Sequence, residues 1–297
     1  MTPSPAPPRE FAVIGDPVAH SLSPAMHNAA YAALAETDPR FASWTYGRIL
    51  CEGAAAAEEQ ISRVRDGSLS GLNVTMPHKP VALAAADVSS PEARAAGGAN
   101  VLVMEDGRLH AHNTDGPGAV RAVELSLGAP AAGARVVVCG TGPTSMAIAS
   151  AYARSGAAEV CVLSRDASRS QAAAERVRSV FASGARACLT ARDYGSSGEV
   201  VPRADIFVDA TPRGMNPGDA PIVDTALFHE GQAVLDTVYA HGETALVAGA
   251  RESGAAASDG LMMLVEQAAL TIEIWAAALG LGEVTPPREV MRAAALA

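Results

Sequence analysis

Between Arg135 and Arg165 the chain reads as an apolar strand, a Gly140-Thr141-Gly142 turn, a helix and a second apolar strand. That order restricts the fold more than any other feature, because parallel strands joined by a crossover helix belong to a sheet covered by helices. The glycines fall where a helix N-terminus presents free N–H groups. Gly140, Thr141, Gly142 and Pro143 are therefore candidate cofactor-binding residues facing a pyrophosphate. The third glycine of the usual dinucleotide fingerprint is absent, Pro143, Thr144 and Ser145 following instead, and a tight structural turn is the rival reading.

The same alternation of strands and helices runs along the whole chain and predicts an α/β protein of two lobes. Residues 11–15, 44–49 and 69–74 read as strands of a first lobe and 24–35 and 53–65 as its helices. Asp106-Gly107 suggests a hairpin turn. Residues 136–139, 160–163, 206–208 and 233–235 read as strands of a second lobe, and 261–279 as a long helix.

At 297 residues the chain is long enough for about two domains. Hydrophobic residues make up 49% and aromatics 4%, with alanine dominant, which suits helices packed closely on sheets. Residues 1–9 hold four prolines and no apolar core of a signal peptide, and read as a flexible tail. No run of about 18 apolar residues is expected anywhere in the chain, which excludes a spanning helix on length grounds. A formal charge of −10 argues against a nucleic-acid partner, because such affinity comes from clustered Lys and Arg. Cys51, Cys139, Cys161 and Cys188 lack metal-ligand spacing. No metal is expected, and buried thiols in a reducing cytoplasm fit best.

At the end of the strand 160–163, where an Asp or Glu would hold the ribose of NAD, stand Ser164 and Arg165, with Arg169 one turn on. Two guanidinium groups favour a 2′-phosphate, hence NADP. Asp166 pulls toward NAD, and a solvated helix start is the rival reading of both arginines.

In the first lobe, Ser21 and Ser23 flank a helix start, Ser23 as N-cap and Pro24 at the first helical position, a place where hydroxyls and N–H groups converge on a carboxylate or simply cap a helix. In Gly71-Leu72-Asn73-Val74-Thr75-Met76-Pro77-His78-Lys79, alternation sends Asn73 and Thr75 to one face. Lys79 follows, and Asp115 in His112-Asn113-Thr114-Asp115-Gly116 is its proposed partner; the rival readings are a solvated lysine and a helix cap. A Lys and an Asp in one cleft can exchange a proton with an alcohol or ketone while a nicotinamide exchanges the hydride.

With these residues in view, the chain resembles the shikimate dehydrogenase family from about Phe11 to Trp275. Gly15 to Pro24 with His27-Asn28 is similar to that family's opening motif, whose two serines hold the substrate carboxylate. The Asn73, Thr75 and Lys79 stretch resembles its central signature, and Asn113-Thr114-Asp115 the segment bearing the catalytic aspartate. The resemblance implies Lys79 and Asp115 as catalytic residues. It implies Asn100, Tyr239 and Gln267 as further substrate-binding residues beside Ser21, Ser23, Asn73 and Thr75. Asp209 to Met215 matches a segment beside the nicotinamide, adding Thr211 and Gly260 to the cofactor residues. It further implies a substrate-binding lobe of residues 10–115 completed by 258–297, a Rossmann-like NADP-binding lobe of residues 116–257, an active site in the groove between them, and a place in aromatic amino-acid biosynthesis. The partner expected is a small molecule, shikimate or 3-dehydroshikimate, with no membrane partner and a homodimer as an open option.

The departures bear on substrate and cofactor. Val101 stands where the family usually has Thr, Asp209 where it has Asn, and His241 where Pro is usual; Ser164 and Asp166 replace the usual Asn and Thr around Arg165. Both serines argue for shikimate over quinate, with quinate or amino-shikimate paralogues, and NAD, as alternatives. A catalytically silent nucleotide-binding protein and a two-lobed enzyme acting on a folate or an amino acid are the readings from other classes.

Overall fold

The structure is a computed structural model, and it describes residues 8–181 and 187–297. The chain divides into two compact units: one holds the described residues through Thr114 together with Val265–Ala297, the other Asp115–Leu264. Residues 1–7 of the expected tail lie outside the described residues, and Arg9, also assigned to it, opens the first strand.

The first unit is built on β1 (Arg9–Gly15), β2 (Trp44–Leu50), β3 (Gly71–Val74), β4 (Val88–Ser89), β5 (Val101–Glu105) and β6 (Arg108–His112), in the order β2-β1-β3-β5-β6-β4. The sheet is mixed: β1 runs parallel to β2 and β3, while β3–β5 and β5–β6 are antiparallel. Asp106 (φ 50°) and Gly107 (φ 74°) join β5 to β6. Two consecutive positive φ angles give the turn whose twist matches a hairpin. One face of the sheet packs Ala12, Ile14, Leu72, Val74 and Leu102 against Ala57, Ile61 and Val64 of the helix Gly53–Arg65. Those three helical residues, spaced by four and three, form one apolar stripe.

Aromatic rings form a second cluster in this unit. Trp275, fully buried, stacks on Phe11 with centroids 4.3 Å apart, and its indole N–H donates to Leu102 O at 3.2 Å. A Cβ at Gly71 would stand 2.6 Å from the indole nitrogen, so the strand there carries glycine to admit the ring. His27 stacks on Tyr46 at 4.1 Å, and burial lowers its pKa to about 3, leaving it neutral.

The second unit carries β7 (Arg135–Cys139), β8 (Glu159–Ser164), β9 (Cys188–Asp193), β10 (Ile206–Asp209), β11 (Ala233–Asp236) and β12 (Ala256–Ser258), in the order β12-β11-β10-β7-β8-β9. Every pairing is parallel. Val136 and Val138 point into one core and Val137 and Cys139 into the other, so both faces are covered and the strands are continuously apolar. The helices Asp115–Leu127 and Pro143–Arg154 pack closely: a Cβ on Gly116 would stand 2.2 Å from Ala147 O.

Two expectations are corrected. The helix Leu261–Ala278 has 18 residues and a mean hydropathy of 1.4, enough by length and composition to cross a membrane, because its few polar residues scarcely lower the average. Half of that stretch is buried in the protein, and buried Glu266 is held by Arg288 at 2.9 Å, as in a core helix. Cys188 is exposed, because β9 is an edge strand; the other three cysteines are buried and free.

Candidate active site

In the first unit Asn73, Asn100, Thr114 and Gln267 meet in one hydrogen-bonded network. Asn73, near the end of β3, accepts from the Tyr46 hydroxyl at 2.8 Å and donates to Asn100 O at 3.0 Å and Thr271 Oγ1 at 3.3 Å. Asn100 donates to Thr114 Oγ1 at 2.9 Å and to Gln267 Oε1 at 3.3 Å, and its Oδ1 receives the Thr114 N–H at 2.9 Å. Thr114 Oγ1 in turn donates to Gln267 Oε1 at 3.4 Å. Such a chain of buried side-chain bonds holds each amide in a single orientation.

Tyr46 and Thr271 were not anticipated. Thr271 stands four residues after Gln267 on one helix face, a legible signal. Tyr46 reaches Asn73 across β1, and no spacing in the sequence announces that.

Thr75 lies just past β3, where its N–H donates to Ile14 O at 2.9 Å. A Cβ on Gly15 would stand 2.3 Å from Thr75 Cγ2, so the two motifs touch here. Lys79 begins the helix Lys79–Ala85, and its carbonyl accepts the Ala99 N–H at 2.9 Å, which anchors the backbone beside Asn100. The expected cap is corrected: the helix Ser23–Ala35 is preceded by Leu22 at the N-cap position, with no side-chain cap bond. Ser21 instead accepts the Ser23 N–H through Oγ at 3.3 Å, because Ser23 already lies inside the first turn.

In the second unit Asp115 is the first residue of its helix and is buried. Its Oδ2 accepts from Thr144 Oγ1 at 3.3 Å, in the first turn of the helix Pro143–Arg154. Tyr239 feels the charge of Asp115, which with burial raises the phenol pKa, burial contributing most.

The turn before Pro143 suits a pyrophosphate. Gly140 has φ +102°, and a Cβ there would stand 2.4 Å from Ser145 Oγ, a hydroxyl that itself donates to Ala210 O at 3.2 Å. Ser145 therefore occupies the position of the missing glycine and ties the turn to the end of β10. No side chain caps the helix, and a Cβ on Gly142 would meet nothing within 4 Å. An open approach to an uncapped N-terminus fits an anionic cofactor.

At the end of β8, Ser164 is turned inward, its hydroxyl 2.7 Å from Ser170 Oγ and 2.9 Å from Asp166 O. Asp166 caps the helix Ala167–Val180 by accepting from Ser168 N at 2.8 Å and Ser168 Oγ at 2.6 Å, and these bonds hold its carboxyl below the usual range. Arg169 pairs loosely with it at 3.8 Å, and Arg165 is exposed.

On β10, Asp209 Oδ1 accepts from Thr211 N at 2.9 Å. Burial pushes the Asp209 pKa up to about 7, with the charge of Asp236 adding to the shift. Gly260 donates its N–H to Val238 O at 3.0 Å, and a Cβ on it would stand 2.2 Å from Thr237 O, so this position requires glycine for close backbone packing.

Residues 13–102 match the family model for the shikimate dehydrogenase substrate binding domain. The chain is 34% identical over 291 residues to the shikimate dehydrogenase (NADP(+)) of Geobacter metallireducens, covering 97% of this chain and 96% of that one. Its fold is similar to the shikimate 5-dehydrogenase of Thermus thermophilus solved with NADP(H) and shikimate, with TM-score 0.81, 32% identity and coverage of 97% and 98% of the two chains. It is also similar to the quinate dehydrogenase of Corynebacterium glutamicum solved with NAD, with TM-score 0.81, 29% identity and coverage of 97% and 99%.

Proposed function

This chain belongs to the shikimate dehydrogenase family, and we propose that it is the NADP-dependent oxidoreductase that reversibly reduces 3-dehydroshikimate to shikimate in aromatic amino-acid biosynthesis. The observation that carries this reading is the network joining Asn73, Asn100, Thr114 and Gln267, a preorganised set of polar groups suited to a ring bearing several hydroxyls.

Ser21, Ser23 and Tyr239 hold the substrate carboxylate; Asn73, Thr75, Asn100, Asp115 and Gln267 bind the ring hydroxyls. Lys79 lies against the reacting oxygen. As the carbonyl is reduced, its ammonium stabilises the developing negative charge and, together with Asp115, delivers the proton. NADPH, when bound, supplies the hydride. Gly140, Thr141, Gly142 and Pro143 receive its pyrophosphate, and Thr211 and Gly260 line its nicotinamide end. Arg165 and Arg169 take the 2′-phosphate, Ser164 shaping the strand end beneath them. The capping role of Asp166 supports this choice, since its carboxylate is spent on Ser168 rather than on a ribose. The protein is assigned to the cytoplasm, as a monomer or homodimer acting on a small molecule.

The test is the rate of reduced-cofactor appearance at 340 nm with shikimate or quinate, each offered with NADP or NAD. Preference for shikimate with NADP is the expected outcome; preference for quinate with NAD would overturn the reading. Arg165→Ala should raise the KM for NADP by roughly 10- to 100-fold, the loss of one charge-assisted hydrogen bond, and leave that for NAD nearly unchanged. Equal effects on both cofactors would remove Arg165 from the 2′-phosphate site.

A further inference from the structure

Two helices of the second unit start side by side, and a side-chain bond joins their first turns. Asp115, which the reading above takes as the carboxylate partner of Lys79, opens the helix Asp115–Leu127 and is buried. Thr144 is the second residue of the helix Pro143–Arg154, whose N-terminus follows the Gly140-Thr141-Gly142 turn. The Thr144 hydroxyl donates to Asp115 Oδ2 at 3.3 Å.

The packing around this bond fixes its two ends. A Cβ on Gly116 would stand 2.2 Å from Ala147 O and 2.9 Å from Ala151 Cβ, so the two helices touch one residue after Asp115 and one turn after Thr144. That close approach sets the spacing of the helix starts. Next to Thr144, the Ser145 hydroxyl donates to Ala210 O at 3.2 Å and holds the same helix start against the end of β10. A threonine in the middle of a helix commonly turns its hydroxyl back to a carbonyl three or four residues earlier. At Thr144 those positions are Thr141 and Gly140, which lie outside the helix, and the hydroxyl reaches across to the neighbouring helix.

Two properties thus meet in one residue. Pro143 has no N–H, so the first backbone N–H at this helix start belongs to Thr144, in the turn proposed to receive the pyrophosphate. The side chain of the same residue holds a carboxylate. An Asp side chain turns broadly about its last torsion, and a donor on one oxygen narrows that range and fixes where the other oxygen points.

We propose that Thr144 is a positioning residue for proton transfer: its hydroxyl sets the orientation of the Asp115 carboxylate from the same helix start that anchors the cofactor. The inference rests on the reading of Asp115 as a member of the proton-transferring pair. Thr144 has no need to touch the substrate. What it contributes is alignment, on which the rate of a positioned reaction depends steeply.

The experiment compares Thr144→Val, which keeps the shape and removes the hydroxyl, with Thr144→Ser, which keeps the hydroxyl and removes the methyl group. Steady-state rates with shikimate and NADP are measured for both, and the dissociation constant of NADP is measured separately by titration calorimetry. The valine variant should lose about 10-fold in kcat, the lower end of the range for a hydrogen bond to a charged group, because the bond is long. Its KM and dissociation constant for NADP should stay nearly unchanged, since the N–H at position 144 is kept. The serine variant should recover most of the lost rate.

This pattern separates positioning from structure. A disturbed helix start would weaken NADP binding in both variants, whereas a missing donor slows turnover in one alone. If Thr144→Val does not fold, Thr144→Ala, which also lacks the hydroxyl, serves with the same expectation. Wild-type kcat in the variant without the hydroxyl, a loss that serine does not restore, or a loss accompanied by weaker NADP binding would overturn this inference alone. Absence of shikimate turnover by the wild-type protein would overturn the functional reading and this inference with it.

Discussion

A Lys79→Ala enzyme is expected to fold normally and to lose roughly 10²- to 10⁴-fold in kcat, the usual contribution of a positioned general acid. Folding should survive because the backbone at position 79 is held by its carbonyl bond to Ala99 N, and the side chain is only half-buried at a helix start. What disappears is the ammonium group that, in the proposed mechanism, meets charge developing on the substrate oxygen. That charge exists in the transition state and not in bound ketone, so kcat and kcat/KM should fall together while KM changes little. Initial rates against substrate concentration, with circular dichroism to verify the fold, decide the matter. Wild-type turnover would remove Lys79 from the mechanism, and a rise in KM alone would make it a binding residue.

The largest effect on stability is expected at Trp275. Replacing it with alanine should cost about 3 to 5 kcal/mol, the range for deleting a buried aromatic side chain. The ring fills the space between Phe11, His27 and Tyr46, and Gly71 lacks a side chain in order to admit it. The cavity has little prospect of closing, since β1 and β3 on one side are pinned by their ladder. The lost indole bond would also leave Leu102 O without that donor in a buried place. Chemical denaturation compares the variants; Trp275→Phe, which keeps most of the volume, should cost clearly less. Equal losses for both would place the stabilisation in the N–H bond instead of the packing.

The parts of the fold that were legible before the structure are those in which local chemistry and tertiary role coincide. The β7-turn-helix-β8 unit declares itself because both faces of its strands are buried, so apolar runs and glycine turn agree. The β5–β6 hairpin does so because Asp106-Gly107 supplies both positive φ angles. Strand β9 was missed for the opposite reason: at the sheet edge its Thr190, Arg192 and Asp193 are partly or wholly exposed, and no apolar run remains to be seen. Strand β12 is Ala-Ala-Ser, a composition that resembles helix more than strand, and β4 has two residues. The Ser23 cap failed because the helix starts one residue early.

At the site, the motif residues Asn73, Asn100 and Gln267 were visible one by one. Their mutual bonding was not, since Gln267 lies 167 positions beyond Asn100.

That bonding has a consequence for molecular recognition. Asn73 gives one amide hydrogen to Asn100 O and the other to Thr271 Oγ1, while Tyr46 occupies part of its oxygen. Both donors are consumed inside the protein, and what Asn73 offers outward is acceptor capacity alone. A ring substituent meeting it must bring its own hydrogen. A hydroxyl satisfies that demand, whereas a fluoro or methoxy group of similar outline presents lone pairs to lone pairs. In the proposed role of Asn73, the polarity with which this unit would discriminate among otherwise isosteric rings is set by a tyrosine and a threonine that need not touch the ligand at all.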